Sequence, residues 1–289
     1  MRSRLKINDI LCNEYSLRVT KRYTTEKTMN IFFAWLGRQC IDLVFYIIDL
    51  VCFLVHAVSV WQPHRNVLNR AVYLIVLDQL ILIGINAIAI ISLLALFMGI
   101  GVTSQLIYIM QSLTGNNDLI EIIARLLLSE MGPLITGFIL VLRSCSAIVV
   151  DLGNTRMEGE IEPLEYMGID VNDYFVIPRL LSMVISQVAL AYYFTALMIL
   201  SGVFFSAFFF DFSAQKSLTE LLSMISLNGV LRFMLKNIFF GLIIGTIACF
   251  HGLLIDKSSV LVSEQMQKAV VRCLVFLFIA DGYFIIFTL

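Results

Sequence analysis

Charge is scarce in this sequence: Asp, Glu, Lys and Arg make up 14% of 289 residues, against 60% hydrophobic residues. A soluble globular chain carries roughly 25% and 45–50% of these, so the excess apolar surface is too large for a water-exposed domain. The formal net charge of −1 argues against nucleic acid as a partner, because phosphate neutralisation needs a concentrated basic surface. No Gly-Lys pair occurs anywhere, so the phosphate-cradling G-x-x-x-x-G-K-[ST] loop of an ATPase is missing. Histidine is limited to His56, His64 and His251, without H-E-x-x-H or similar metal spacing, and no G-x-S-x-G nucleophile turn is present. Neither catalytic residues nor a metal nor a bound cofactor is expected of this chain. Cys12, Cys40, Cys52, Cys145, Cys249 and Cys273 form no C-x-x-C pair and read as small buried hydrophobes.

Long apolar runs are what the sequence has instead. Five stretches, roughly 79 to 110, 119 to 150, 176 to 210, 230 to 254 and 269 to 289, each exceed the roughly 20 residues that cross a bilayer as a helix. Residues 27 to 60 are also apolar but are interrupted by Lys27, Arg38, Asp42, Asp49 and His56. At about 100° per residue those five fall within about 60° of arc, a narrow polar stripe. Such a stripe suits a helix lying in the membrane interface. A sixth span is the alternative, and it would strand Arg38, Asp42 and Asp49 in lipid at several kcal/mol each. The expected fold is therefore all-α: a polytopic membrane helix bundle of five transmembrane helices preceded by an interfacial amphipathic helix. No internal repeat is visible, so residues 27–289 read as one membrane permease domain after a cytoplasmic segment, residues 1–26.

Charge bias sets the expected orientation. Ten of the twenty Lys and Arg residues precede the first span, which places the amino end in the cytoplasm. The polar, basic start has no short apolar core ending in a small-residue cleavage site, so it does not read as a secretory signal. Five spans then put the carboxyl end on the far side. The loop 151 to 175 falls inside, yet it holds Arg156 alone against seven acids. The charge rule does not account for that loop.

Two features inside the spans stand out. Gly132-Pro133 interrupts the second span, removing a backbone donor and bending or breaking the helix; a simple kink is the plain alternative. Glu130, Lys236 and Asp281 are ionisable groups at membrane depth, where they usually face the bundle interior and pair. With about 1.5 Å of rise per residue they lie about 16, 9 and 12 Å from the outer ends of their spans. They are expected to form one buried cluster, as a tie between spans or as part of a lipid path.

The stretch from Glu130 to Arg179 carries a family pattern. It reads Glu130-Met131-Gly132-Pro133, Leu142-Arg143-Ser144-Cys145-Ser146-Ala147, Asp151-Leu152-Gly153, Arg156 with Glu158 to Ile161, Met167-Gly168-Ile169-Asp170 and Val176-Ile177-Pro178-Arg179. In order and spacing this resembles the MlaE or YrbE permease family, the membrane partner of MCE-domain proteins, whose motifs run E-L-G-P, G-R-x-G-x-A, E-x-G, R-x-x-E-Q-I, M-G-x-D-P and V-x-P-R. Leu142, Ser144, Asp151, Val171 and Pro163 depart from that pattern; the first three mark a divergent member, and Pro163 bears on the loop itself. Glu162-Pro163-Leu164 before Gly168 also resembles the coupling segment of ABC importers. Proline fits the first turn of a helix, so a short helix from about Pro163 to Met167, with Glu162 at its positive end and Gly168 stopping it, suits both residues.

The resemblance implies a homodimeric permease of an ABC-type phospholipid transporter in the inner membrane. A cytoplasmic ABC ATPase would hold ATP and Mg, an MCE-domain protein would receive or deliver lipid on the far side, and membrane lipid would be the substrate. Arg156, Glu158, Glu160, Glu162, Leu164, Glu165, Gly168 and Asp170 would then form the ATPase-coupling loop, with Leu164 as an apolar knob between acids. The competing class is an ion-coupled secondary carrier or channel without an ATPase, whose usual mark is a pair of broken helices in matching positions.

Overall fold

The structure is a computed structural model, described here for residues 31–60, 70–112, 117–167, 172–209, 227–255 and 259–288, with 215, 218, 219 and 221. Among the described residues every extended element is helical and no strand occurs. The chain divides into two compact units, Met1–His56 and Ala57–Leu289. Helix α1 (Ile31–Val60), which falls in the first unit up to His56, runs unbroken through Asp42 and Asp49, and Ile41, Val44, Ile48, Asp49, Val51 and Val55 are all exposed on it.

The second unit is a bundle of long helices: α2 (70–112), α3 (117–157), the short α4 (Ile161–Tyr166), α5 (172–209), α6 (Leu227–Leu253) and α7 (Ser259–Thr288). Five of them hold segments long and apolar enough to cross a membrane: Leu74–Ile109, Ser129–Met157, Tyr174–Phe209, Leu227–Leu253 and Val262–Ile286. Helix α3 begins at Asn117, and its first turns carry Asp118, Glu121 and Arg125 among apolar residues. On the first turns of α7, Glu264 and Lys268 pair at 2.7 Å on the exposed side.

Helix α5 is the hub, packed by α2, α3 and α6. Small residues let α2 approach it closely. A Cβ on Gly202 would meet Thr103 Cβ at 2.4 Å and the Gly99 carbonyl at 2.8 Å. A Cβ on Gly99 would meet the Met198 carbonyl at 2.3 Å. Two π-helical turns in α2, Ile81–Ile85 and Gly99–Thr103, each contain a glycine facing α5, Gly84 against Ser186 and Gly99 against Ser201. A π turn adds a residue to the turn and shifts the helix face, which keeps the small residues aimed at α5 along a long contact. The core proper lies among α3, α5, α6 and α7, where Phe194, Phe240, Ile244, Met183 and Leu140 are fully buried. The opposite face of α2, including Phe97 and Leu93, is exposed, as a helix facing lipid or another chain must be.

Candidate functional site

Lys236 sits at the centre of the bundle with 4% of its surface exposed. It projects from α6, and its Nζ lies 2.6 Å from Asp281 Oδ1 on α7 while donating a hydrogen bond to Glu130 Oε2 on α3. The approach to Asp281 is an ion pair without a well-angled hydrogen bond. One turn along α6 the Phe240 ring faces the ammonium at 5.6 Å, a favourable place for a cation. A lone ammonium at such depth would be too costly to keep charged; two carboxylates and an aromatic face replace its water. Glu130 is the most accessible of the three, its side chain 17% exposed against 8% for Asp281.

Helix α3 continues through Gly132-Pro133 rather than stopping there. At the proline, two carbonyls take further donors from side chains. Thr136 Oγ1 donates to the Gly132 and Pro133 carbonyls, and Gln187 Nε2 on α5 donates to the Pro133 carbonyl at 3.2 Å. Gln187 also donates to Asn237 Oδ1 on α6 at 3.0 Å. Gly132 lets α3 approach Thr195 of α5 and Phe233 of α6, since a Cβ there would meet Thr195 Oγ1 at 2.2 Å and Phe233 Cζ at 3.2 Å.

The other end of α3 leads into the acidic loop. After Met157 the chain turns through Gly159, whose φ of +74° suits glycine. Bonds from the Glu158 amide to the Asn154 carbonyl and from Gly159 to Arg156 close the turn. Helix α4 starts at Ile161, two residues before the expected Pro163, and Pro163 falls in its first turn, where its missing N–H has no partner to lose. Arg156, Glu158, Glu160 and Glu162 are exposed, and Leu164 is half-buried. The exposed apolar groups are instead Tyr166, 90% exposed, and Met167, 67% exposed. Gly168 and Asp170 lie outside the described residues, as does the side chain of Glu165. Behind the loop, Arg179 on α5 is 5% exposed; its Nη2 meets Asp151 Oδ2 on α3 at 2.5 Å, and Nη1 donates to the Phe175 carbonyl at 3.0 Å. Asp151 and Arg179 belong to separate motifs of the sequence pattern and are joined here as a clamp across the loop's two ends. An open depression of about 420 Å³ lies beside it, lined by Ser146, Ala147, Val150, Asp151, Asn154 and Met266.

The family model described as Permease MlaE matches residues 76–287, nearly the whole bundle. The chain belongs to the MlaE permease family. It is similar to the intermembrane phospholipid transport system permease protein MlaE of Haemophilus influenzae, 24% identical over 242 residues that cover 83% of this chain and 91% of that protein. A probable ABC transporter permease protein of Rickettsia prowazekii is 22% identical over 217 residues, 75% of this chain and 84% of the relative. The chloroplastic protein trigalactosyldiacylglycerol 1 of Arabidopsis thaliana is 29% identical over 211 residues, 71% of this chain and 59% of that one.

In this MlaE-family permease, then, the two residue groups singled out by sequence sit toward opposite ends of α3, the ion cluster at one and the acidic loop at the other. Three groupings were missed from sequence: the Asp151–Arg179 clamp, the Gln187–Asn237 pair, and a chain through His251. His251 Nδ1 lies 2.9 Å from Gln265 Oε1 and its Nε2 lies 3.2 Å from Arg272 Nη1. Arginine can only donate, so Nε2 accepts and Nδ1 carries the proton toward Gln265. A polar residue inside an otherwise apolar span was the available signal for Gln187 and Asn237. Among the described residues no group of His, Cys, Asp or Glu could hold a metal ion.

Proposed function

We propose that this chain is the permease subunit of an ABC-type lipid transporter of the inner membrane. Two copies pair, two cytoplasmic ATPase subunits supply ATP hydrolysis, and an MCE-domain protein carries lipid on the far side. The observation that carries the reading is the family match across residues 76–287, supported by the phospholipid transport named for the Haemophilus influenzae relative. The amino end lies in the cytoplasm and the carboxyl end on the far side, in keeping with the basic residues before α2.

The geometry supports a division of labour. Loop residues 158–170 dock the ATPase: Glu158, Glu160 and Glu162 are exposed acids beside the exposed Tyr166 and Met167, a charged rim around an apolar anchor. The Asp151–Arg179 clamp passes force from α4 into α3 and α5. At the other end Lys236 receives a lipid phosphate while Glu130 and Asp281 hold its ammonium in place. The test is purification of the tagged chain in mild detergent. A co-purifying ABC ATPase and MCE-domain protein support the reading, whereas a chain that purifies alone and conducts ions in bilayers would replace it with a channel.

A further inference from the structure

Gln187 lies at the meeting point of three helices, fully buried on α5. Its amide has two N–H donors, and both are spent on other helices: one on the Pro133 carbonyl of α3 at 3.2 Å, the other on Asn237 Oδ1 of α6 at 3.0 Å. Asn237 is itself oriented, because its Nδ2 donates to the Phe233 carbonyl at 2.8 Å and so turns its oxygen toward α5. A flipped Gln187 would set its own oxygen against two acceptors, so the amide has one workable orientation. Two glycines make its room. A Cβ on Gly241 of α6 would lie 3.3 Å from Gln187 Cβ and 2.7 Å from Val184 Cα, and one on Gly137 of α3 would lie 3.8 Å from Gln187 Nε2.

The same two helices carry the ion cluster. Pro133 is three residues beyond Glu130 on α3, hence on the same face, and Asn237 follows Lys236 directly on α6. We infer that Gln187 is a positioning residue: by tying the Pro133 carbonyl to Asn237 it fixes α3 against α6 and so holds Lys236 on Glu130. Proline has removed one rung of the α3 ladder at this level, which makes α3 the helix most in need of an outside brace. Gln187 touches no reacting group itself and acts through the register of its two neighbours. The inference builds on the reading of Lys236 as the lipid-phosphate residue, but its geometric core stands apart from that reading.

Reactivity of Lys236 tests it directly. The intact complex in lipid nanodiscs is treated with acetic anhydride, a small membrane-permeant acylating reagent, and modification of Lys236 is quantified by mass spectrometry. Gln187→Met, which keeps length and loses both donors, is expected to raise acylation of Lys236 at least fivefold. Gln187→Glu, the same shape with oxygen facing two acceptors, is expected to raise it at least as much. The pair Gln187→Leu with Asn237→Leu removes both buried amides, guarding against simple misfolding, and still leaves Lys236 reactive. Thr246→Val serves as the comparison: Thr246 is fully buried on α6 and donates only within its own helix, to the Leu242 carbonyl at 2.6 Å, so its loss lowers melting temperature while Lys236 stays protected. Acylation within twofold of the unaltered complex in Gln187→Met overturns the inference, as does reactivity that tracks melting temperature across all variants including Thr246→Val, or failure of every Gln187 variant to assemble. The expected labelling from a complex that moves no lipid keeps the positioning role and removes the lipid reading; unchanged labelling from a complex that does move lipid removes the positioning role alone.

Discussion

Lys236 Nζ and Asp281 Oδ1 stand 2.6 Å apart on neighbouring helices, both side chains almost wholly buried. Breaking a buried ion pair from one side leaves an uncompensated charge, at about 3–5 kcal/mol. Lys236→Met strands two carboxylates and should lower expression and melting temperature sharply. Adding Glu130→Gln and Asp281→Asn removes the stranded charges and should recover most of the stability without recovering lipid transfer, which stays reduced at least tenfold. Thermal unfolding alongside a transfer assay checks both halves. Full transfer by the triple variant would leave the cluster a structural tie only.

The crossing of α2 and α5 gives a prediction independent of transport. Gly202→Val pushes a side chain into Thr103 and the Gly99 carbonyl, both within 3 Å of the added Cβ. Overpacking of this kind costs about 1–3 kcal/mol or more. Gly101 meets nothing within 4 Å, so Gly101→Ala should be nearly neutral. Melting temperatures of the two variants, measured side by side, should separate clearly.

At the loop, Glu162→Lys with Glu165→Lys should dissociate or uncouple the ATPase while the chain remains inserted. Tyr166→Ala should weaken the same contact by tenfold or more, about 1.4 kcal/mol, because a 90% exposed tyrosine has little to lose within its own chain. Co-purification of ATPase with each variant is the readout. Unchanged recovery and unchanged transport would remove the docking role.

Much of the fold was legible because a bilayer-length apolar run has few alternatives to a helix. The spans near 176 to 210 and 230 to 254 match Tyr174–Phe209 and Leu227–Leu253 to within a few residues. The second span, expected near 119 to 150, falls within helix α3, which is helical over residues 117–157. Glu130, Lys236 and Asp281 do meet, as counting residues along the spans led one to expect, whereas Gln187–Asn237 and Asp151–Arg179 depend on which helix faces which, and at Gln187 that is set by close packing at Gly137 and Gly241. Leu164, the expected knob of the loop, is half-buried, and Tyr166 and Met167 are the more exposed side chains.

Residues 27 to 60 are expected to lie along the membrane. Residues 27–30 fall outside the described part, and α1 covers the rest. Cysteines introduced at Arg2 and Trp61 in an otherwise cysteine-free chain should both react with an impermeant maleimide from the cytoplasmic side. Reaction from opposite sides would make α1 a sixth span and reverse the carboxyl end.

The proposed coupling of ATP hydrolysis in a partner to lipid movement past Lys236 is tested most directly by reconstituting the purified complex in proteoliposomes and following fluorescent phospholipid transfer with ATP, with a non-hydrolysable analogue and with an ion gradient alone. Transfer that requires ATP hydrolysis, and that falls at least tenfold in the charge-compensated Lys236→Met variant while ATPase activity persists, is the predicted result. Transfer driven by the ion gradient without ATP, or undiminished in that variant, would contradict it.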